Sequence, residues 1–307
     1  MSNICGHHID YNNNDSCFND KQIIYLVMQY NNAIKQNKIN GKLITLDNNI
    51  RKMYLQLKKQ LSTCNGNEKC WVKQNFVVKK KNLLSVFKPQ GTKNRFDWLS
   101  TIDINAVMKQ FELKYSNFLF GGAIPRDILK LKNYNLMSHK IPIKDLEIKH
   151  LLDLNKDIIA FIYNLDESHQ SGSHWVALYC DIRNCKIYFF DSYGDRPHKD
   201  IRMMIRKLAS MCYNYKKYNC IEKCKDISIS ESFMNDKITN KNKIEKNMNE
   251  IEWNRNRFQY KNTECGIYSI YFITKLLEGT SFDTLIKNPI PDDIINKERD
   301  KLFIQLD

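Results

Sequence analysis

The residue types best suited to chemistry in this chain are a cysteine near its C-terminus and a histidine near its middle. Cys265 precedes an apolar run, Ile267 to Leu277, which predicts a helix that Gly279 ends. A helix N-terminus carries unpaired N–H groups and a partial positive charge, and both favour a thiolate over a thiol. Because the thiolate is the nucleophilic form, this placement suits covalent catalysis by Cys265.

The candidate base and its orienting acid belong to two successive predicted strands. His174 opens the apolar run Trp175 to Cys180, and Asp191 follows the run Lys186 to Phe190. In neighbouring antiparallel strands these two residues come out near the same end of the sheet, where a carboxylate can hold the imidazole in the required tautomer. His169 is the rival base, but it lies in a polar loop without a strand to orient it, so we prefer His174.

A glutamine six residues before the cysteine completes the candidate site. The Gln259 side-chain amide could donate to the oxygen of a carbonyl that Cys265 attacks, together with the Cys265 backbone N–H. The alternative for Cys265 is a buried structural thiol, since cysteine is among the most buried residue types. The combination of His174, Asp191, Gln259 and Cys265 favours a catalytic role over that alternative.

These residues also resemble the signature of a known family. The pairs His174-Trp175, Asp191-Ser192 and Cys265-Gly266, with Gln259, resemble the SUMO-protease-like cysteine proteases, which include adenovirus proteinase. The segment Trp98 to Ile104 resembles the Trp-Leu element that opens the catalytic domain in that family. The sequence from Asn262 to Gly266 is similar to the motif of the family members found in giant DNA viruses. These members include the polyprotein-processing protease of African swine fever virus.

The resemblance carries expectations about fold and function. It implies an α+β fold with a papain-like or SUMO-protease-like core, in which helices flank a central mixed sheet. It implies a thiol endopeptidase, and we expect neither a cofactor nor a metal. Trp175 and Gly266 would lie beside the substrate, with plain core packing as the alternative for Trp175. The implied substrates are viral structural polyproteins cut after Gly-Gly during particle maturation, in the virion or in the host cytoplasm.

Two other functions stay open from the sequence. SUMO and ubiquitin also end in Gly-Gly, so the protein could be an isopeptidase that removes such a modifier. It could also be a non-enzymatic, basic virion component that binds nucleic acid and keeps an inactive protease fold. The intact set of candidate catalytic residues argues against this last alternative.

The chain divides by pattern into two predicted regions. Residues 1–92 carry apolar residues at helical spacing and predict a helical arm, with Asn19 or Asp20 as a helix cap. The breaker Phe87 to Thr92 separates the arm from a catalytic domain, 93–307. Within that domain, residues 226–256 are rich in Lys and Asn and predict an insertion or a mobile loop.

The arm is also the most basic part of the protein. The chain has 48 Lys and Arg against 34 Asp and Glu, and residues 1–92 alone hold 14 basic and 5 acidic residues. Such an arm can hold a protein near nucleic acid or an acidic substrate. A solvated helical surface is the alternative, since no nucleic-acid recognition motif accompanies the charge.

The ten cysteines predict mostly free thiols rather than a disulfide framework. No basic region followed by an apolar stretch opens the chain, so we expect a protein that is not secreted and stays in a reducing compartment. No run approaches a membrane span. Two groups of possible zinc ligands lack the spacing of a standard zinc site. The first is Cys5, His7, His8 and Cys17, which we expect to lie in a disordered terminus. The second is Cys212, Cys220 and Cys224.

Overall fold

The computed structural model describes residues 4–9, 16–78, 80–219 and 250–304 of the chain. The chain forms two compact units. The N-terminal unit comprises residues 1–91 with 302–307, and the sheet unit comprises residues 92–301. Among the described residues, no helix is both long enough and apolar enough to cross a membrane.

The N-terminal unit is a small helical assembly with a core of its own. Its helices are α1 (Asp20–Lys35), α2 (Ile50–Gln60), α3 (Glu68–Lys73) and α4 (Lys80–Leu84). Asn19 caps α1 through a reciprocal pair of hydrogen bonds with Gln22, which satisfies backbone donors that the helix itself leaves unpaired. Trp71, fully buried, contacts the rings of Phe18 and Tyr54 at the centre of this core. The predicted N-terminal helices are confirmed.

Disulfides in the N-terminal unit correct the expectation of mostly free thiols. Cys5 bonds to Cys17, and Cys64 bonds to Cys70. Cys5 and Cys17 are both buried in the core, so the disordered terminus that we expected does not extend over residues 4–9 and 16–19. The sequence argument failed because it judged these residues by compartment and metal spacing, whereas the fold brings the cysteines of each pair together.

The sheet unit is built on five strands in the order β1 to β5. The strands are β1 (Phe118–Pro125), β2 (Ile158–Asn164), β3 (Trp175–Asp181), β4 (Lys186–Phe190) and β5 (Glu250–Trp253). β1 and β2 are parallel, β2 to β4 run antiparallel to one another in succession, and β5 lies parallel to β4. The sheet is therefore mixed, and the predicted α+β class is confirmed.

Helices pack against the sheet and complete this unit. They are α5 (Thr101–Lys114), α6 (Ile148–Asp153), α7 (Lys199–Asn219), α8 (Cys265–Leu277), α9 (Phe282–Lys287), α10 (Asp292–Ile295) and α11 (Glu298–Leu302). α6 and α7 bury their apolar residues in one core with the sheet. α8 packs on β3, where the Ser269 hydroxyl donates to the Trp175 carbonyl oxygen over 3.2 Å. This packing places the N-terminus of α8 near the start of β3.

The stretch 226–256, which predicts an insertion or mobile loop, ends in an ordered edge strand. β5 pairs with β4 from Lys186 opposite Glu250 to Phe189 opposite Trp253. The insertion stays a prediction, but residues 250–253 are an ordered strand rather than a mobile loop. Their alternation of polar and apolar residues is a strand pattern, but four residues are too few to stand out beside Lys- and Asn-rich sequence. Residues 220–249 lie outside the described part of the chain.

Candidate active site

Cys265 is the first residue of α8, as the sequence predicts, and only 2% of it is exposed. Its backbone N–H belongs to the first turn of the helix and is therefore not used in the helical hydrogen-bond ladder. The next residue, Gly266, has no side chain, and its backbone passes close to Leu99. A Cβ on Gly266 would lie 3.1 Å from the Leu99 Cβ atom, so a larger residue would push the start of α8 away from Leu99.

His174 and Asp191 meet at one end of the sheet. The His174 Nε2 atom and the Asp191 Oδ1 atom are 2.7 Å apart, and both side chains are buried. His174 also interacts with the Cys265 thiol, which helps to raise the pKa of the imidazole. The three side chains therefore form a continuous chain from carboxylate to imidazole to sulfur.

The surroundings of His174 favour its charged form. Burial alone would lower the pKa of the imidazole, because it disfavours a charge. The hydrogen bonds to Asp191 and Cys265 and the negative charges of both partners more than offset burial and raise the pKa of His174 to about 9. The imidazole of His174 is consequently protonated near neutral pH.

Two residues that the sequence did not single out support this pair. The Tyr193 ring stacks on the His174 ring, with 4.4 Å between centroids and 9° between planes, and its backbone N–H donates to Asp191 Oδ1. The fully buried Asn254 accepts from the Asp191 N–H and donates to the Asp191 carbonyl oxygen. Continuing the β3–β4 register by three residues places Tyr193 opposite His174, a signal that strand pairing would have given.

Gln259 is fully buried and its side-chain amide is held in one orientation. The Ser192 hydroxyl donates to Gln259 Oε1 over 2.7 Å, and Gln259 Nε2 donates to the Lys261 carbonyl oxygen over 2.8 Å. The amide NH₂ group has two protons, so the second remains for another acceptor. The two fixed contacts orient that proton before any substrate binds.

A groove in the sheet unit is lined by the segment 98–101, the end of β1 and the loop 164–172. It has a volume of about 460 Å³, and Trp98, Leu99 and Trp175 line one part of it. The Trp175 indole N–H donates to the Leu99 carbonyl oxygen over 2.9 Å, which fixes the two elements to each other. The loop 164–172 contributes polar groups to the rest of the lining. Trp175 follows His174 in the chain and Leu99 lies against Gly266, whereas His174, Asp191, Gln259 and Cys265 themselves do not line the groove.

The remaining candidates lie away from this arrangement. The side chain of His169 is 74% exposed, and its nearest charged partner is Glu167 at 3.9 Å. Cys180, Cys185 and Cys212 are buried cysteines outside the disulfides, with 3.8 Å between the Cys180 and Cys212 sulfur atoms. Cys220 and Cys224 lie outside the described residues. Within residues 4–9, 16–78, 80–219 and 250–304, no cluster of ligand side chains could hold a metal ion.

Comparison with known proteins gives a consistent result. The model of the Ulp1 protease family, C-terminal catalytic domain, matches residues 149–306. The chain is 30% identical over 319 residues to a thiol protease of Acanthamoeba polyphaga mimivirus, and the alignment covers 98% of this chain and 93% of that relative. It is 22% identical over 242 residues to the SUMO-1 cysteine protease of African swine fever virus, with 76% of this chain and 78% of the relative covered.

A solved structure has the same fold. The crystal structure of the African swine fever virus protease superposes with a TM-score of 0.60. The superposition covers 100% of this chain and 97% of that chain, at 17% sequence identity. The likeness therefore extends over both units of the chain, at the level of fold.

Proposed function

The chain belongs to the Ulp1 protease family and is a viral cysteine protease, and from that premise we propose that it cleaves viral structural polyproteins after Gly-Gly. In this proposal Cys265 is the nucleophile, His174 the base, Asp191 the orienting acid and Gln259 an oxyanion donor. The observation that carries it is the buried chain from Asp191 through His174 to Cys265, with 2.7 Å between the first two. Particle maturation in the virion or in the host cytoplasm would be the setting.

The first chemical step uses the charge state that the site favours. His174 takes the Cys265 proton and becomes an imidazolium, which Asp191 stabilises through the bond to Nε2. The Cys265 sulfur attacks the carbonyl carbon of the scissile peptide bond and forms a tetrahedral intermediate. His174 then gives its proton to the leaving amine, and the acyl-enzyme forms as the C–N bond breaks.

The second step needs water and the same base. A water molecule attacks the acyl-enzyme carbonyl, His174 accepts a proton from it, and the carboxylic acid leaves as the sulfur is released. In both steps the oxyanion accepts from the free Gln259 amide proton and from the Cys265 backbone N–H. One such donor contributes roughly 3–4 kcal/mol to the barrier reduction. Gln259 can contribute without reorganisation because Ser192 and Lys261 already hold its amide.

The preference for Gly-Gly is supported by a groove that neighbours of the catalytic residues line, Trp175 next to His174 and Leu99 against Gly266. Trp98 is 45% exposed, and together with Trp175 and Leu99 it brings large apolar surfaces to the start of the groove. Residues without side chains fit most easily between such surfaces on the way to the sulfur. The polar loop 164–172 would contact the substrate residues that precede the two glycines.

Deconjugation of a folded modifier is the second candidate function. It is favoured by the name of the African swine fever virus relative, a SUMO-1 cysteine protease. A folded modifier would present its Gly-Gly tail together with a broad surface, whereas a polyprotein would offer an extended segment. We favour the polyprotein, because an extended segment fits the groove lined by Trp98, Leu99 and Trp175 more directly than a folded domain does.

One experiment separates these functions. Wild type and Cys265→Ala are incubated with an extended peptide that contains Gly-Gly-Ala and with SUMO and ubiquitin fusions that contain the same three residues. Cleavage of the peptide by wild type alone supports the polyprotease. Cleavage of the fusions with little activity on the peptide replaces it with a deconjugating isopeptidase. Cleavage by Cys265→Ala at the wild-type rate would show that Cys265 is not the nucleophile.

Nucleic-acid binding through residues 1–92 is a separate part of the proposal. It is supported by the excess of basic over acidic residues in this region, 14 against 5. Binding of this kind releases counterions, so the affinity should fall steeply as salt rises. Fluorescence anisotropy with labelled duplex DNA at several salt concentrations measures it. Absence of binding at low salt would leave the charge as a solvated surface.

A further inference from the structure

The segment that ends the sheet unit presents three buried polar side chains to the loop that carries Gln259 and Cys265. They are Asp292, Asn296 and Arg299, and each is less than 8% exposed. Their spacing of four and three residues puts them on one face of the α10–α11 segment. Buried polar groups are usually satisfied by hydrogen bonds, and most of the partners here are on residues 259–265, the nucleophile loop.

Asp292 holds the part of the loop that fixes the Gln259 amide. Its Oδ2 atom accepts hydrogen bonds from the backbone N–H groups of Tyr260 and Lys261, both over 2.9 Å. Its Oδ1 atom accepts from the Tyr268 hydroxyl on α8, over 3.1 Å. The Lys261 carbonyl oxygen accepts from Gln259 Nε2. Asp292 therefore positions Gln259, the proposed oxyanion donor, through Lys261.

Asn296 and Arg299 hold the two residues that precede the nucleophile. The Asn296 amide donates to Glu264 Oε1 over 2.8 Å, and Arg299 Nε donates to Asn296 Oδ1 over 3.1 Å. An Arg299 terminal nitrogen donates to the Thr263 carbonyl oxygen over 3.0 Å. The position of the first turn of α8 therefore depends on a guanidinium that is 1% exposed.

The buried Arg299 guanidinium interacts electrostatically with the nucleophile loop. Burial lowers the pKa of Arg299, while the negative charges of Glu264 and Cys265 raise it. The same electrostatics act in reverse on the sulfur, since an arginine stays charged in proteins and a nearby cation favours a thiolate. Glu264, 2% exposed and next to Cys265 in the chain, acts against the thiolate.

We propose that Arg299 is a positioning residue of the protease, which fixes the nucleophile loop and supplies a second buried positive charge, besides His174, that balances the Cys265 thiolate. This inference rests on the proposed catalytic role of Cys265. It assigns Glu264 the opposite electrostatic effect and Asp292 the positioning of the oxyanion donor.

The charge balance around the sulfur can be stated from the groups that interact electrostatically with Cys265 and from their charged partners. These groups are His174 at the start of β3, Asp191 after β4, Tyr193 beside it, Glu264 on the nucleophile loop and Arg299 on α11. With a thiolate, Asp191 and Glu264 negative, the cations His174 and Arg299 leave one net negative charge. Without Arg299 there would be two, so the thiolate would form only at higher pH. Arg95 and Asp97 act on Arg299 itself with opposite signs.

The test measures the pH midpoint of Cys265 alkylation by iodoacetamide, followed by mass spectrometry of the Cys265 peptide. Arg299→Gln should raise the midpoint by about one pH unit, the lower end of the effect of a nearby charge. Glu264→Gln should lower it. Arg299→Lys, which keeps the charge but not the fork of donors, should keep the midpoint and lower kcat. Lys301→Gln, an exposed charge change on the same helix, is the control and should match wild type.

Opposite shifts in the two glutamine variants, with the midpoint kept in Arg299→Lys, would establish the proposal. Midpoints equal to wild type in folded Arg299→Gln and Glu264→Gln would overturn it and reduce Arg299 to a structural residue. If Arg299→Gln does not fold, Glu264→Gln and Arg299→Lys decide the question alone. Peptide cleavage by wild type and its loss in Cys265→Ala are measured in parallel, so a failure of the proposed function is seen separately.

Discussion

Replacing Asp191 with asparagine should shift the alkaline limit of activity downward. Asp191 Oδ1 accepts hydrogen bonds from His174 Nε2 and from the Tyr193 N–H, and an asparagine oxygen can keep both contacts. The substitution therefore removes mainly the negative charge. Because that charge helps to keep His174 protonated, the imidazolium would lose its proton at lower pH and the ion pair with Cys265 would be lost with it.

The size of the shift follows from the position of the histidine. The pKa of His174 is raised from 6.5 to about 9 in spite of burial, and Asp191 comes first among the groups that raise it. The difference of about 2.5 pH units corresponds to roughly 3 kcal/mol of preference for the charged ring. Since the hydrogen bond is kept, we expect Asp191→Asn to remove about half of this, a shift of about one pH unit.

The assay is the pH dependence of kcat/KM on a Gly-Gly-Ala peptide, which reports groups of the free enzyme. Wild type should lose activity as the pH rises through about 9, in line with the His174 pKa. Asp191→Asn should lose it about one pH unit lower. Asp195→Asn, an exposed change of the same charge four residues on, should match wild type. An alkaline limit that stays in place in Asp191→Asn, or moves upward, would refute the reasoning.

Three further changes test the packing that holds the site. Gly266→Ala should lower the free energy of unfolding by about 1–3 kcal/mol, because its Cβ would lie 3.1 Å from that of Leu99; an unchanged denaturant midpoint would contradict this. Asn254→Ala removes the hydrogen bonds to the backbone of Asp191 and should lower the free energy of unfolding by about 1–3 kcal/mol. It should also lower kcat more than it changes KM, and wild-type kinetics would contradict this. Cys5→Ser should destabilise the N-terminal unit by about 2–4 kcal/mol in thermal unfolding, whereas an equal melting temperature would show that the disulfide adds nothing.

Much of the candidate site could be predicted because its residues are tied to local patterns. Cys265 at the start of an apolar run predicts a helix N-terminus, and the structure has α8 begin at that residue. His174 and Asp191 flank two adjacent apolar runs, and antiparallel pairing of β3 and β4 brings them together. In each case a short-range period decides the local structure, and neighbouring elements in the chain are neighbours in space.

The supporting residues could not be found this way because their contacts are long-range. Asn254 reaches Asp191 across 63 positions of sequence, and Asn296 reaches Glu264 across 32. A lone polar residue in a polar stretch carries no local signal of burial, so only the fold shows that it is satisfied inside the protein. Arg299 reads as one charge in a helix with several others, although it is 1% exposed.

The disulfides fall outside sequence prediction for a related reason. Cys5 and Cys17 lie on either side of residues with little regular pattern, and Cys64 and Cys70 on either side of a turn. Spacing alone does not determine pairing, and a compartment argument applies to the chain as a whole rather than to one unit. The four cysteines of the described residues that lie outside the disulfides, by contrast, are all in the sheet unit.

The central claim is that Cys265 is the nucleophile and His174 its base, and covalent trapping tests it most directly. A peptide that ends in Gly-Gly-vinyl methyl ester is mixed with wild type, Cys265→Ala and His174→Ala, and intact masses are recorded. The account predicts that wild type gains one probe mass, located on Cys265, while Cys265→Ala gains none and His174→Ala reacts far more slowly. Labelling of another cysteine, or labelling of His174→Ala at the wild-type rate, would contradict it.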